Sequence, residues 1–195
     1  MIIYINMKNF ETVQGKLPIL FSAPHSYPHK RPSLVNKYKG HEEYTDDIVR
    51  DICKKSKSFG IYLTDQVEYD PNYYKNGNEY KKEVQKIVEK NKIKTFIDIH
   101  GLNEDHMLDV AIYYKTRFHK SLRLAKEVSE LLNRGKLKGL NTQIFRFPEN
   151  GGETLTEFCA SKLRIPSVQI EITKYIREDN DLRDSFIENI SDIVK

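Results

Sequence analysis

The sequence predicts an α/β fold in which helices sandwich a mixed, largely parallel sheet. Three observations carry that reading. Short apolar, β-rich runs alternate with amphipathic segments at helical spacing. Glycines and turn residues punctuate the alternation. No repeat, linker or low-complexity tract interrupts it, so one domain over residues 1–195 is expected.

The elements follow in order. Ile2–Asn6 and Leu17–Ala23 read as strands, with Val13-Gln14-Gly15-Lys16 as the turn between them. Glu42–Lys57 reads as a helix, with Tyr44, Ile48, Ile52 and Cys53 at helical spacing and Gly60 ending it. Ile61–Val67 is the next strand. Asn78–Lys92 is a helix that places Tyr80, Val84, Ile87 and Val88 on one face. Lys94–Ile99 and Met107–Tyr114 read as strands, and Phe118–Arg134 as a helix closed by Gly135. Thr142–Phe147 is a strand, Thr154–Lys162 a helix, Ser167–Ile172 a strand and Leu182–Val194 a terminal helix.

Composition narrows the classes of function. Hydrophobic residues make up 38% of the chain, which argues against both a membrane protein and a disordered one. The longest apolar runs fall well short of the roughly 20 residues a membrane helix needs. The opening MIIYINMKNF lacks the parts of a signal peptide, which makes a cytoplasmic protein the default expectation. Two cysteines, Cys53 and Cys159, stand far apart, so neither a disulfide framework nor a thiolate metal site is expected. A metal here would use histidine and carboxylate ligands. The net charge of +4 comes from 32 basic and 28 acidic residues spread along the chain. Only His29-Lys30-Arg31 and Lys136–Lys138 form local basic clusters, so no specific nucleic-acid partner is expected.

Three predicted strands end in polar residues that an apolar strand does not otherwise want. Leu17–Ala23 runs into Pro24-His25-Ser26, Lys94–Ile99 into His100-Gly101, and Val168-Gln169-Ile170 into Glu171. In open α/β sheets reactive groups gather at the carboxyl ends of strands, so parallel neighbours would bring these three together. Asp98, two residues before His100, points to the same face and is placed to orient its ring. Each residue also has a plain structural explanation. His25 alone reads as a loop or capping histidine, and Asp98 with His100 as a solvated pair on an edge strand. Glu42, with Glu43, Asp46 and Asp47, fits the ordinary preference of acids for a helix start. Glu171 has the weakest such explanation, because a glutamate within Val-Gln-Ile-Glu-Ile is costly to bury unpaired. Two imidazoles and a carboxylate form a catalytic zinc set with a position left for water, and a further carboxylate can serve as base.

Five short pieces then bear on family. They are Ser22-Ala23-Pro24-His25-Ser26, Glu42-Glu43-Tyr44-Thr45-Asp46, Asp70-Pro71-Asn72-Tyr73, Ile97-Asp98-Ile99-His100-Gly101 and Val168-Gln169-Ile170-Glu171-Ile172. In this order the set resembles the N-formylglutamate amidohydrolase family, within the zinc carboxypeptidase-like and aspartoacylase-like hydrolases. The resemblance implies a three-layer α/β/α, zinc-exopeptidase-like fold and one zinc ion. It implies that His25, Glu42 and His100 hold the metal, with Glu43 and Asp46 as alternatives to Glu42, and that Glu171 is the catalytic glutamate. Asn72 matches an asparagine that holds substrate near the metal. Tyr73 stands where related enzymes often carry an arginine, and Arg146 and Lys75 are candidate replacements for that cation. The expected activity is hydrolysis of a C–N bond in an N-acyl amino acid or similar small acidic molecule. The rivals are a peptidase or γ-glutamyl-type hydrolase on the same scaffold, and a binding protein that keeps the fold without catalysis.

Overall fold

The computed structural model describes residues 9–31, 34, 37–73, 77–115, 119–148 and 153–194. The predicted strand Ile2–Asn6, together with Lys75, lies outside the described residues. The elements in chain order are β1 (Phe10–Val13), β2 (Leu17–Ala23), β3 (His29–Lys30), β4 (Tyr38–Lys39), α1 (Thr45–Ser56), β5 (Ser58–Leu63), α2 (Glu79–Asn91), β6 (Thr95–Leu102), β7 (Val110–Tyr114), α3 (His119–Leu132), β8 (Thr142–Arg146), α4 (Leu155–Ser161), β9 (Ser167–Thr173), α5 (Lys174–Glu178) and α6 (Asn180–Ser191).

Among the described residues these form one seven-stranded sheet in the order β1-β5-β2-β6-β9-β7-β8 and a small β3-β4 hairpin. The pairs β5-β2, β2-β6, β6-β9 and β7-β8 are parallel, whereas β1 and β7 run antiparallel to β5 and β9. The sheet is therefore mixed and mostly parallel, and helices cover both faces. Alternation along each strand assigns side chains to one layer or the other. On one face Phe21, Ile97, Ile99, Val168 and Ile170 pack against Ile48 and Ile52 of α1, Leu124 and Val128 of α3, and Phe186 and Ile190 of α6. On the other, Leu20, Ile61 and Phe96 meet Tyr80, Val84 and Ile87 of α2 and Leu155 and Cys159 of α4. Burial of these large apolar groups is the main stabilising term, about 1.5–3 kcal/mol for each fully buried side chain.

The structure corrects several boundaries. The helix expected from Glu42 starts at Thr45, because Tyr44 adopts a left-handed backbone (φ 66°) that a helix cannot continue through. Glu42 therefore stands in the preceding loop, and Asp46 and Asp47 supply the acids of the first turn. Gly60 does not end that helix. Lys57 does so in the left-handed region (φ 59°), and Gly60 lies inside β5. β6 runs on through His100 to Leu102, so His100 sits within the strand. β1, the β3-β4 hairpin and α5 have no counterpart in the sequence reading. Asn78 caps α2 by accepting from the backbone N–H of Lys81 at 2.8 Å. Thr154 and Glu157 form a reciprocal capping box that starts α4.

Candidate metal centre

β2, β6 and β9 are parallel neighbours, so the polar groups at their carboxyl ends lie side by side. His100 and Glu171 are register partners, as are Asp98 and Gln169. Asp98 and His100 alternate with Ile97 and Ile99, and Gln169 and Glu171 with Val168 and Ile170. This alternation puts all four polar side chains on the α2/α4 face.

His25 follows β2 in a loop that is firmly held. The Ser26 hydroxyl bonds the carbonyls of Ala23 and Leu63, and the N–H of Glu42 donates to the His25 carbonyl at 2.8 Å. The last bond brings Glu42 to His25 across the hairpin. Thr45 Oγ1 donates to the Glu42 carbonyl at 2.7 Å and fixes the loop from its other side. Glu42 then spans two rings. Its Oε1 lies 3.1 Å from His25 Nδ1 and its Oε2 lies 3.2 Å from His100 Nδ1. The backbone N–H of Gly101 donates to Oε2 at 2.9 Å. That approach requires glycine: a Cβ at position 101 would stand 3.1 Å from Glu42 Cβ and 2.9 Å from Arg177 Nη2. The Arg177 guanidinium is itself fixed to the carbonyls of Ile172 and Glu43.

The outer nitrogen of each ring faces a second carboxylate. Asp98 Oδ2 lies 3.1 Å from His100 Nε2, and Asp70 Oδ1 lies 2.9 Å from His25 Nε2. All five side chains are buried. Burial alone would raise the Glu42 carboxyl, but the His25 and His100 imidazoles outweigh it and hold the group well below the usual carboxylate range. Burial disfavours a charged His100, yet Asp98 and Glu42 together push it up to about 10. Asp70 is held down at about 2, where its bond from His25 and the neighbouring histidines overcome desolvation.

The donor set fits a divalent cation. Each ring has both nitrogens against carboxylate oxygens, so each needs a proton or a cation on both sides. The ligand atoms of His25, Glu42 and His100 all lie within 4.8 Å of one another. Asp70 and Asp98 fix the outer nitrogens, the usual arrangement behind a metal-bound imidazole. His25, His29 and Asp70 form a second convergent group. There His25 Nε2 already bonds Asp70, and Arg31 Nε approaches Asp70 Oδ2 at 3.2 Å, so a cation is in place. His29 stacks on His25 with ring centroids 3.9 Å apart and planes 7° apart. Burial, reinforced by His25, lowers His29 to about 3, so it is neutral.

A cavity of about 330 Å³ opens over these groups. His25, Glu42, Asn72, His100, Gln169 and Glu171 contribute to its lining. Asn72 is tied at both ends: its Oδ1 accepts from the Leu155 N–H at 2.8 Å and its Nδ2 lies 3.5 Å from His100 Nε2. Arg146 is exposed at the end of β8 and does not border the cavity. Among the described residues, Arg31 and Lys39, carried by the β3-β4 hairpin, do border it. Lys39 Nζ lies 3.1 Å from Glu42 Oε1, and the Arg31 guanidinium lies over the Tyr73 ring. Tyr113, stacked on Phe145 and Phe147, forms an aromatic wall. The sequence reading missed the orienting role of Asp70. Its signal was faint, a lone acid before a proline in an irregular segment, although the Asp70-Pro71-Asn72 piece contained it.

Neither a family model nor a curated protein sequence matches the chain. Solved structures do match. A gene product of Agrobacterium tumefaciens is similar at a TM-score of 0.67 and 13% identity, with 95% of each chain covered. A metallo-carboxypeptidase from Burkholderia cenocepacia is similar at 0.60 and 11% identity, over 93% of this chain and 59% of that one. Succinylglutamate desuccinalase from Vibrio parahaemolyticus gives 0.59 and 10%, over 93% and 67%. At these identities the likeness is one of fold, and the fold is zinc-exopeptidase-like. No described helix is long and apolar enough to cross a membrane.

Proposed function

We propose that the chain is a metal-dependent hydrolase that cleaves a C–N amide bond in an N-acyl amino acid or similar small acidic molecule. The observation that carries this reading is Glu42 set between two imidazole Nδ1 atoms, each ring backed by a buried aspartate, with Glu171 in register beside His100. The shared scaffold with a metallo-carboxypeptidase and a desuccinalase supports hydrolysis over simple binding.

In this reading His25, Glu42 and His100 would hold one divalent ion, zinc by the chemistry of the donors. When bound, such an ion supplies Lewis acidity, polarising a carbonyl and acidifying water. Asp70 and Asp98 keep the two Nδ1 atoms aimed at Glu42. Glu171 is the general base: its carboxylate takes a proton from the attacking water and returns it to the departing nitrogen. Arg31 and Lys39 give the cavity the positive charge that draws an acidic substrate, the part for which the sequence offered Arg146 and Lys75 as candidates. A volume of about 330 Å³ suits an amino-acid derivative, at the small end of ligand pockets.

The test is zinc-loaded protein incubated with N-formyl-, N-acetyl- and N-succinyl-L-glutamate and a γ-glutamyl dipeptide, with released amine measured. At least one should be turned over, and Glu171→Gln should keep its zinc while losing turnover about 100-fold or more. Full turnover by Glu171→Gln would remove Glu171 from the mechanism. Cleavage of the dipeptide alone would favour the peptidase.

A further inference from the structure

Gln169 has no part in the chemistry described so far. It is buried in the sheet at 6% exposure and lines the cavity. Its register partners are Asp98 on β6 and Tyr113 on β7. Its Nε2 donates to Glu171 Oε1 at 2.9 Å. An ionised carboxylate only accepts, so the amide must turn its nitrogen to Glu171 and its oxygen away. That oxygen is enclosed and has no hydrogen-bond partner among the described residues. A buried amide with its acceptor unused is costly, and a methionine of similar length would avoid the cost. Packing alone therefore gives no account of glutamine at this position.

We infer that Gln169 is a positioning residue for Glu171, an inference that rests on Glu171 being the base. Its N–H occupies Oε1, holds the carboxylate in one rotamer and leaves Oε2 to exchange the proton. In the first step an O–H bond of water breaks, its oxygen bonds the carbonyl carbon as the C=O π pair moves onto the carbonyl oxygen, and the proton moves to Oε2. In the second step the C=O bond re-forms from the oxyanion pair, the C–N bond breaks, and the proton on Oε2 passes to the leaving nitrogen, which restores the carboxylate. One oxygen serves both transfers, so the carboxylate need not rotate between them. Losing the donor should slow chemistry without weakening substrate binding.

The test uses zinc-loaded wild type, Gln169→Met, Gln169→His and Glu171→Gln with the three N-acyl glutamates and the γ-glutamyl dipeptide. Methionine keeps the length without a donor, and histidine restores an N–H at comparable reach. The expected result for Gln169→Met is a kcat about 10- to 100-fold lower with KM within about twofold and zinc content unchanged. Gln169→His should recover most of the lost kcat. Wild-type kcat in Gln169→Met beside an inactive Glu171→Gln would overturn the positioning role and leave the base in place. Equal losses in the Met and His variants at equal zinc content would also overturn it. A fully active Glu171→Gln, or a wild type that turns over none of the probes, would overturn the reading beneath it. Should Gln169→Met fail to fold, Gln169→Glu keeps the shape and sets a second carboxylate against Glu171. The same loss of kcat is then required of it.

Discussion

Asp70 gives the sharpest quantitative expectation. Changing it to Asn preserves volume but removes the charge that faces His25 Nε2 at 2.9 Å. The group is fully buried, and its Oδ1 also accepts from the Asn72 N–H at 2.9 Å. The amide oxygen can still accept from the backbone, so the turn should survive. What is lost is the charge-assisted bond that makes His25 a stronger donor at Nδ1 and fixes its ring. Partners of this kind typically change metal affinity by about 10- to 100-fold. That corresponds to roughly 1.4 to 2.7 kcal/mol. The assay is zinc competition against a chelating dye, run beside thermal unfolding of the metal-free protein. Zinc affinity for Asp70→Asn within twofold of wild type would refute the claim that Asp70 orients His25. Asp70 also carries a pH signature in the metal-free protein. Its carboxyl sits at about 2 against an ordinary 3.8, so its stabilisation is fully present above pH ~4 and is lost as pH falls through ~2. The wild-type acid unfolding curve should flatten below pH ~4 in Asp70→Asn.

Three other expectations follow from the packing. Gly101→Ala should push Glu42 off Gly101 N–H and lower zinc affinity, since Arg177 and Glu42 both crowd the new methyl; calorimetric zinc titration reads this out. Thr154→Ala removes one side of the α4 capping box and should cost about 1 kcal/mol, or a fall in Tm of roughly 2–4 °C by calorimetry. Both cysteines should resist a thiol reagent at pH 8 until the protein unfolds, because burial pushes Cys53 up to about 12 and Cys159 well above its ordinary value.

What the sequence made legible divides along physical lines. The sheet and its larger helices were readable because apolar periodicity reports burial, and Phe96–Ile99 or Tyr80–Val88 leave little choice. His25, His100 and Glu171 stood out for the converse reason, as polar groups at the ends of apolar runs. Glu42 was legible as an acid but not in its setting, because nothing in the sequence marks Tyr44 as left-handed and thus delays α1 to Thr45. The hairpin that brings Arg31 and Lys39 to the cavity has strands of two residues, too short for any periodicity. Arg146 and Lys75 were both candidates for the cation, with nothing in the sequence to place either, and the exposed end of β8 takes Arg146 away from the cavity. The bonds of Asp70 to His25 and of Gln169 to Glu171 are individual tertiary contacts, which no spacing rule encodes.

The central claim concerns the ion that His25, Glu42 and His100 would share, and metal content tests it most directly. Plasma mass spectrometry of protein reconstituted with zinc and then desalted should find one ion per chain in wild type, Glu171→Gln and Arg146→Ala. His25→Ala and His100→Ala should each lose it. Full zinc occupancy in His100→Ala, or none in wild type, would contradict the account.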